Sequence, residues 1–179
     1  MTAGPARTLV RKVVAYVVHG RRLLVLTHDD VPLEIAGVQV PAGTIEHGEA
    51  PDVAVVREVL EETGLRTRVV RALGVERFDV WPSKPEVHER HFFQLASVED
   101  VPTRWSAGEQ HPSGGGASQR WTCWWTPMEH AHVLCAGLGA RLGEIRPDGP
   151  VDPDDSSARD VLGADGVPPR SAHPPHGET

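Results

Sequence analysis

Short blocks of apolar residues separated by turn formers dominate the first half of the chain. Val13–Val18 and Leu23–Thr27 are β-branched and aliphatic runs, and His19-Gly20-Arg21 lies between them. Gly20 supplies the positive φ that a tight turn needs, so the pattern predicts a β-hairpin. Val38–Val40 reads as a further short strand, stopped by Pro41 and Gly43. Arg68–Leu73, Glu76–Trp81 and a longer run in "EVHERHFFQLAS" read as three more strands. A Gly/Ser/Pro-rich stretch, Trp105 to Ser118, reads as a loop. In "RWTCWW" the alternation puts Trp121, Cys123 and Trp125 on one side of a strand.

Two segments have helical period. The first begins with Pro51, where a missing N–H costs nothing, and Asp52, which complements the helix dipole. It ends at Gly64, a C-cap glycine. At about 100° per residue, Val53, Val56, Val59 and Leu60 fall on one arc, expected to face the core. Glu58, Glu61 and Glu62 fall on the opposite arc with Ala54 beneath them, and Arg57 edges that face. The second segment has Thr126 and Glu129 in capping-box spacing and Pro127 at the first helical position. A terminal helix is expected from Pro127 to Leu142, weakened by Gly137 and Gly139. Strands mixed with two separated helices predict an α+β fold, an α/β/α sandwich, over residues 7–143.

Composition then divides the chain. Its 179 residues carry a net charge of −7. From Glu144 onward there are 3 basic and 8 acidic residues, seven prolines and no aromatic residue. Such a segment is expected to be a disordered acidic tail, residues 144–179. The main domain is nearly neutral, so no basic field invites duplex nucleic acid or an anionic membrane. No stretch reaches the roughly 20 apolar residues of a membrane helix. Cys123 and Cys135 are expected to be reduced thiols. Arg7, Arg11 and Lys12 precede an apolar run that continues as a strand rather than as a signal peptide, so a cytoplasmic protein is expected.

The candidate chemistry lies in the first helix. Like charges four apart repel by about 0.2–0.5 kcal/mol per pair, yet Glu58 and Glu62 are so placed, with Glu61 beside them and no lysine near. Three carboxylates within an arc of about 100° form a hard-oxygen surface suited to a hard divalent cation such as Mg²⁺. Taken with its upstream neighbour, the segment is "GTIEHGEAPDVAVVREVLEETGL", Gly43 to Leu65. It resembles the signature of the Nudix hydrolases, G-x5-E-x7-R-E-U-x-E-E-x-G-U, with U aliphatic. Gly43, Glu49, Arg57, Glu58, Glu61, Glu62 and Gly64 fill the fixed positions, and Val59 and Leu65 the aliphatic ones. At about 7% usage per residue type, such a match arises by chance on the order of 10⁻⁸ times per start site.

The resemblance implies hydrolysis of a pyrophosphate bond in a nucleoside diphosphate linked to another moiety. It implies Mg²⁺, with Mn²⁺ as a substitute, held by Glu58, Glu61 and Glu62 with the carbonyl of Ala42. Arg57 would pair with Glu49 and reach Glu61, while Gly43 and Gly64 serve the backbone. The general base would be a signature glutamate or a later carboxylate, Glu109 in "AGEQHP" first, then Glu89 and Glu86. Trp81 or Trp105 would stack on a base. No histidine is assigned to metal, because His88 and His91 point to opposite faces of a strand. Pro82 stands 17 residues past Leu65, beyond the place where members acting on ADP-ribose tend to carry proline. The partner is a small nucleotide derivative, and a homodimer is compatible with it. A ligand-sensing domain without turnover and a diphosphate isomerase on the same fold are the alternatives. Sensing domains usually lose signature residues, and the isomerases depart from the complete signature.

Overall fold

The computed structural model describes residues 6–109 and 119–146. The predicted hairpin is present and longer than its apolar runs: β1 is Thr8–His19 and β2 is Arg22–His28. His19 pairs with Arg22, and Gly20 at φ 58° makes the turn. A short helix, α1 (Leu33–Ala36), precedes β3 (Ala42–Thr44), and α2 is Pro51–Thr63. Then come β4 (Thr67–Asp79), β5 (Glu86–Ser97), β6 (Arg104–Glu109) and β7 (Gln119–Pro127). The strands form one mixed sheet ordered β4-β5-β1-β2-β7-β6, with β3 on β1. Among the described strands, β1 and β5 pair in parallel and the other pairs are antiparallel. The α+β class expected from the sequence is the class observed.

β1 is the spine. Val13 to Val18 are all buried, as a strand covered on both faces requires. Val13, Ala15 and Val17 face Ala54, Val55 and Val59 of α2. Val14, Tyr16 and Val18 face Ala131 and Leu138 of the C-terminal segment. Among the described residues no helix is long and apolar enough to cross a membrane. Both cysteines are free.

Four local expectations are corrected. Residues 38–40 make only isolated bridges, Leu26 with Gln39 and Val38 with Leu134, and the strand lies beyond Pro41. The two strands expected at 68–81 are one, whose irregularities fall at Val69/Arg71 and Ala72/Gly74. Gly74, at φ 111°, marks a bulge and not a break. Within the expected loop 105–118, Arg104–Glu109 is an edge strand on β7, and 110–118 lie outside the described residues. Ser106, Ala107 and Gly108 there hide a strand whose pairing comes from its neighbour.

The expected helix from Pro127 to Leu142 is instead two 3₁₀ segments, Met128–Val133 and Leu142–Glu144. Ala136 and Gly137 adopt positive φ between them, which no α-helix accommodates. A Cβ on Gly137 would meet the Phe78 ring at 2.8 Å, so packing demands this break. No side-chain cap forms at the start of the segment. The chain stays on the sheet through Arg146, whose backbone exchanges hydrogen bonds with Gln94 at 2.6 and 3.1 Å. The tail from residue 147 lies outside the described residues.

Tyr16 ties this segment down. Its hydroxyl donates to the Leu138 carbonyl at 2.5 Å and accepts from the Arg141 N–H at 3.2 Å. Burial pushes its pKa up to about 12, so it stays a donor. Tyr16→Phe is expected to lower stability by about 1–3 kcal/mol by leaving that carbonyl unpaired. Urea denaturation checks this, and an unchanged midpoint would contradict the role.

Candidate active site

α2 starts at Pro51 after an uncapped Ala50, and ends where Gly64 at φ 74° returns its N–H to the Leu60 carbonyl at 2.8 Å. The start and stop match the sequence signals. The buried face does not. Val53 is 57% and Leu60 47% exposed, whereas Glu58 is 7% and Glu62 8% exposed. The core-facing line runs through Ala54, Val55 and Val59, and the carboxylates beside it are covered by β3. Hydrophobic periodicity assumes that carboxylates seek water, so it rotated the helix the wrong way.

β3 approaches α2 because it has almost no side chain. A Cβ on Gly43 would lie 1.8 Å from the Glu58 carboxyl carbon. Any other residue there would displace Glu58. One residue earlier, the Ala42 N–H donates to Glu62 Oε2 at 3.0 Å. The Glu58 and Glu62 carboxylates therefore bracket the Ala42–Gly43 peptide.

Arg57 holds the rest. Its Nε and Nη2 grip both oxygens of Glu49 at 2.8 and 2.9 Å. Nη2 also donates to the Thr44 carbonyl at 3.0 Å. Nη1 donates to Glu58 Oε1 at 3.0 Å and to Glu61 Oε2 at 2.9 Å. The pairing with Glu49 and Glu61 fits the expectation, and the bond to Glu58 adds to it. Glu49 Oε2 also accepts the Glu46 N–H at 2.9 Å, closing the loop before α2. The bonds to Glu49 raise the Arg57 pKa further, and Arg57 holds the Glu49 carboxyl below its ordinary value.

The donor set is hard oxygen throughout: three carboxylates and, beside them, the Ala42 carbonyl. This chemistry fits a hard divalent cation. Among the described residues no three acidic, histidine or cysteine side chains converge as a ready-made metal site. Glu58 and Glu61 instead meet on one nitrogen of Arg57, so a cation already draws two of the three together.

The other candidates are dispersed. Glu109 ends β6 opposite Gln119. Glu89 pairs with Arg11, Arg77 and His91, and Glu86 with His88. His88 and His91 do not share a site. Trp81 follows β4 and is 48% exposed, with the Arg7 guanidinium 5.7 Å from its ring. The Trp105 indole N–H donates to the Thr63 carbonyl at 2.8 Å, and the ring packs beside Trp125. Trp105 is thus fixed to the end of α2 as wall.

The Glu49–Arg57 pair has a pH signature. A depressed carboxyl pKa contributes stability above its unfolded value, and that contribution is lost as pH falls through the folded value. Glu49→Gln is expected to cost about 1–3 kcal/mol at pH 7. The gap from the parent protein should narrow in acid, below about pH 4. Thermal melts between pH 3 and 7 check this, and a gap independent of pH would show that the ionised pair is not the cause.

Comparison with known proteins converges on one family. The model of the NUDIX domain matches residues 8–149. A UDP-X diphosphatase structure aligns with TM-score 0.55 and 15% identity over 79% of this chain, which spans 66% of that protein. A MutT protein from Methanosarcina mazei Go1 aligns with TM-score 0.57 and 18% identity, over 79% of this chain and 95% of that one. An ADP-ribose pyrophosphatase from Streptococcus suis 89-1591 aligns with TM-score 0.52 and 15% identity, over 75% and 87%. At such identities the structures establish the shared fold, and the family match covers most of the described chain. With its complete Gly43–Leu65 signature seated on that fold, the chain belongs to the Nudix hydrolase family.

Proposed function

We propose that the protein is a divalent-metal-dependent hydrolase that cleaves the pyrophosphate of a nucleoside diphosphate linked to a second moiety. The observation that carries this reading is that Glu58 and Glu62 flank β3 while Arg57 joins Glu58 to Glu61. In this reading Glu58, Glu61, Glu62 and the Ala42 carbonyl hold Mg²⁺ or Mn²⁺. When bound, the metal supplies a polarised phosphoryl oxygen and an acidified water.

The chain's own residues do the rest. Arg57 and Glu49 fix the loop between β3 and α2, and Gly43 leaves room for Glu58. Glu61, the most open of the three on α2, or Glu109 at the end of β6 accepts the proton of the attacking water. Trp81, exposed beside β4, offers a face for a base. Trp105 would act as wall rather than stacking platform. The substrate is a nucleotide, a nucleotide sugar or an ADP-ribose-type compound. Neighbours of this fold that bear the names UDP-X diphosphatase and ADP-ribose pyrophosphatase support that class. The free thiols accord with action in the cytoplasm.

Phosphate and nucleotide release across a panel of nucleoside diphosphates, triphosphates, UDP-sugars and ADP-ribose tests the reading. Turnover is expected with Mg²⁺ or Mn²⁺ and none with EDTA. Glu62→Gln is expected to lower kcat by about 10²–10⁴-fold with an unchanged circular dichroism spectrum. Undiminished turnover in that variant would remove the carboxylates from the mechanism. Absence of turnover across the panel would favour a sensing domain.

A further inference from the structure

A cavity of about 500 Å³ lies at the β1–β2 turn, lined by His19, Gly20, Arg21, Arg22, Pro127 and Glu129. Three strands build it. Arg22 of β2 pairs with His19 of β1 on one side and with Pro127 of β7 on the other. Paired residues leave a sheet on the same face, so the row reads imidazole, guanidinium, proline. Alternation along β2 through Leu24 and Leu26 puts this row on the face that carries α2. The Arg21 carbonyl accepts the Met128 N–H at 3.0 Å, which ties the turn to the end of β7.

The wall of the cavity is fixed, and its charges are unpaired. The Trp125 ring lies 5.6 Å from the His19 ring, and its N–H donates to the Pro102 carbonyl at 2.9 Å. Arg21 and Arg22 are exposed, and among the described residues neither side chain has a hydrogen-bond or ion-pair partner. Glu129 lines the same cavity and pairs with neither of them. The His132 ring meets the Glu129 carbonyl at 3.1 Å rather than that carboxylate. Two guanidiniums and one carboxylate thus share the cavity, with positive charge in excess. His19 stands five residues past Val14, the partner of Ala42, or about 16 Å along β1. The cavity is therefore separate from the carboxylate centre.

We propose that this cavity binds a phosphate monoester, with Arg21 and Arg22 on the phosphate oxygens and the ester group against Pro127. The inference stands apart from the hydrolase reading. A phosphate monoester carries a charge of about −1.5 to −2 at pH 7 and three strong acceptor oxygens. Two guanidinium forks and an imidazole N–H supply donors for all three, and such forks match phosphate geometry. A carboxylate, with one charge and two oxygens, would leave part of that positive charge unmatched. The volume of about 500 Å³ falls within the roughly 300–1,000 Å³ of small-molecule sites, which leaves room for the ester group. Glu129 can accept a hydrogen bond from a hydroxyl or amino group of that ester.

The test is titration of the full chain with AMP and with inorganic phosphate, followed through the backbone amide resonances of residues 19–22. EDTA is present throughout, so binding that needs a divalent metal at the carboxylates is silent, and ionic strength is held constant. AMP is expected to saturate these amides with a Kd below about 1 mM, and inorganic phosphate to bind more weakly. Arg21→Gln and Arg22→Gln are each expected to weaken AMP by about tenfold or more. Both side chains are exposed, so the melting temperature should not move. Glu62→Gln should leave AMP binding as it is. No saturation by about 10 mM AMP would overturn the inference. AMP affinity unchanged in either arginine variant would overturn it too, as would a response confined to β3 and α2 or lost in Glu62→Gln. Equal affinity for AMP and inorganic phosphate would overturn the ester assignment. Turnover enters none of these readouts, so failure of the hydrolase reading would leave this inference standing.

Discussion

One guanidinium organises the site. Arg57 makes five hydrogen bonds, to three carboxylates and one carbonyl, and a guanidinium has five N–H groups. The fork on Glu49 is bidentate, which fixes orientation as well as distance. A lysine could neutralise the same acids, but it could not hold the loop before α2, β3 and two helical glutamates in one geometry. The loop, the strand and the helix thus share a single connector, and the repulsion between neighbouring glutamates becomes tolerable through it.

The connector works because both sides of it are anchored. α2 is pinned to the sheet through Ala54, Val55 and Val59, and β3 is pinned to β1 through the Val13–Gly43 and Val14–Ala42 pairs. β1 is buried on both faces, so neither anchor can drift without disturbing the core. Gly43 sets the separation, since nothing larger fits between β3 and Glu58. Tyr16, two residues beyond Val14, carries the same constraint to the opposite face through Leu138 and Arg141.

Legibility in the sequence followed the locality of the cause. The bounds of α2 were readable because Pro51 and Gly64 act on their own backbone. The Arg57 contacts were expected from the family resemblance, and the one-turn spacing from Arg57 to Glu61 agrees with them. The C-terminal segment was not, because its break is set by the Phe78 ring against Gly137, which are 59 residues apart in sequence. β6 was not, because an edge strand with Ser106, Ala107 and Gly108 at its middle takes its conformation from β7. The buried glutamates were misplaced because a carboxylate-rich arc reads as solvent-facing unless β3 is known to lie over it.

Charge explains why such a site is stable yet incomplete. Glu49, Glu58, Glu61 and Glu62 carry four carboxylates, and Arg57 is the cation that bonds three of them. The hydrogen bonds that Arg57 and Ala42 give the carboxylates offset part of the cost of burying them. Carboxylates outnumber the guanidinium in this group, and burial makes such an excess of one sign costly. In the proposed function, a divalent cation cancels this charge before a diphosphate of the same sign must approach. The acidic arc of α2 would then repel the substrate without its metal and accept it with the metal in place. The ordering follows from electrostatics alone and requires no moving lid.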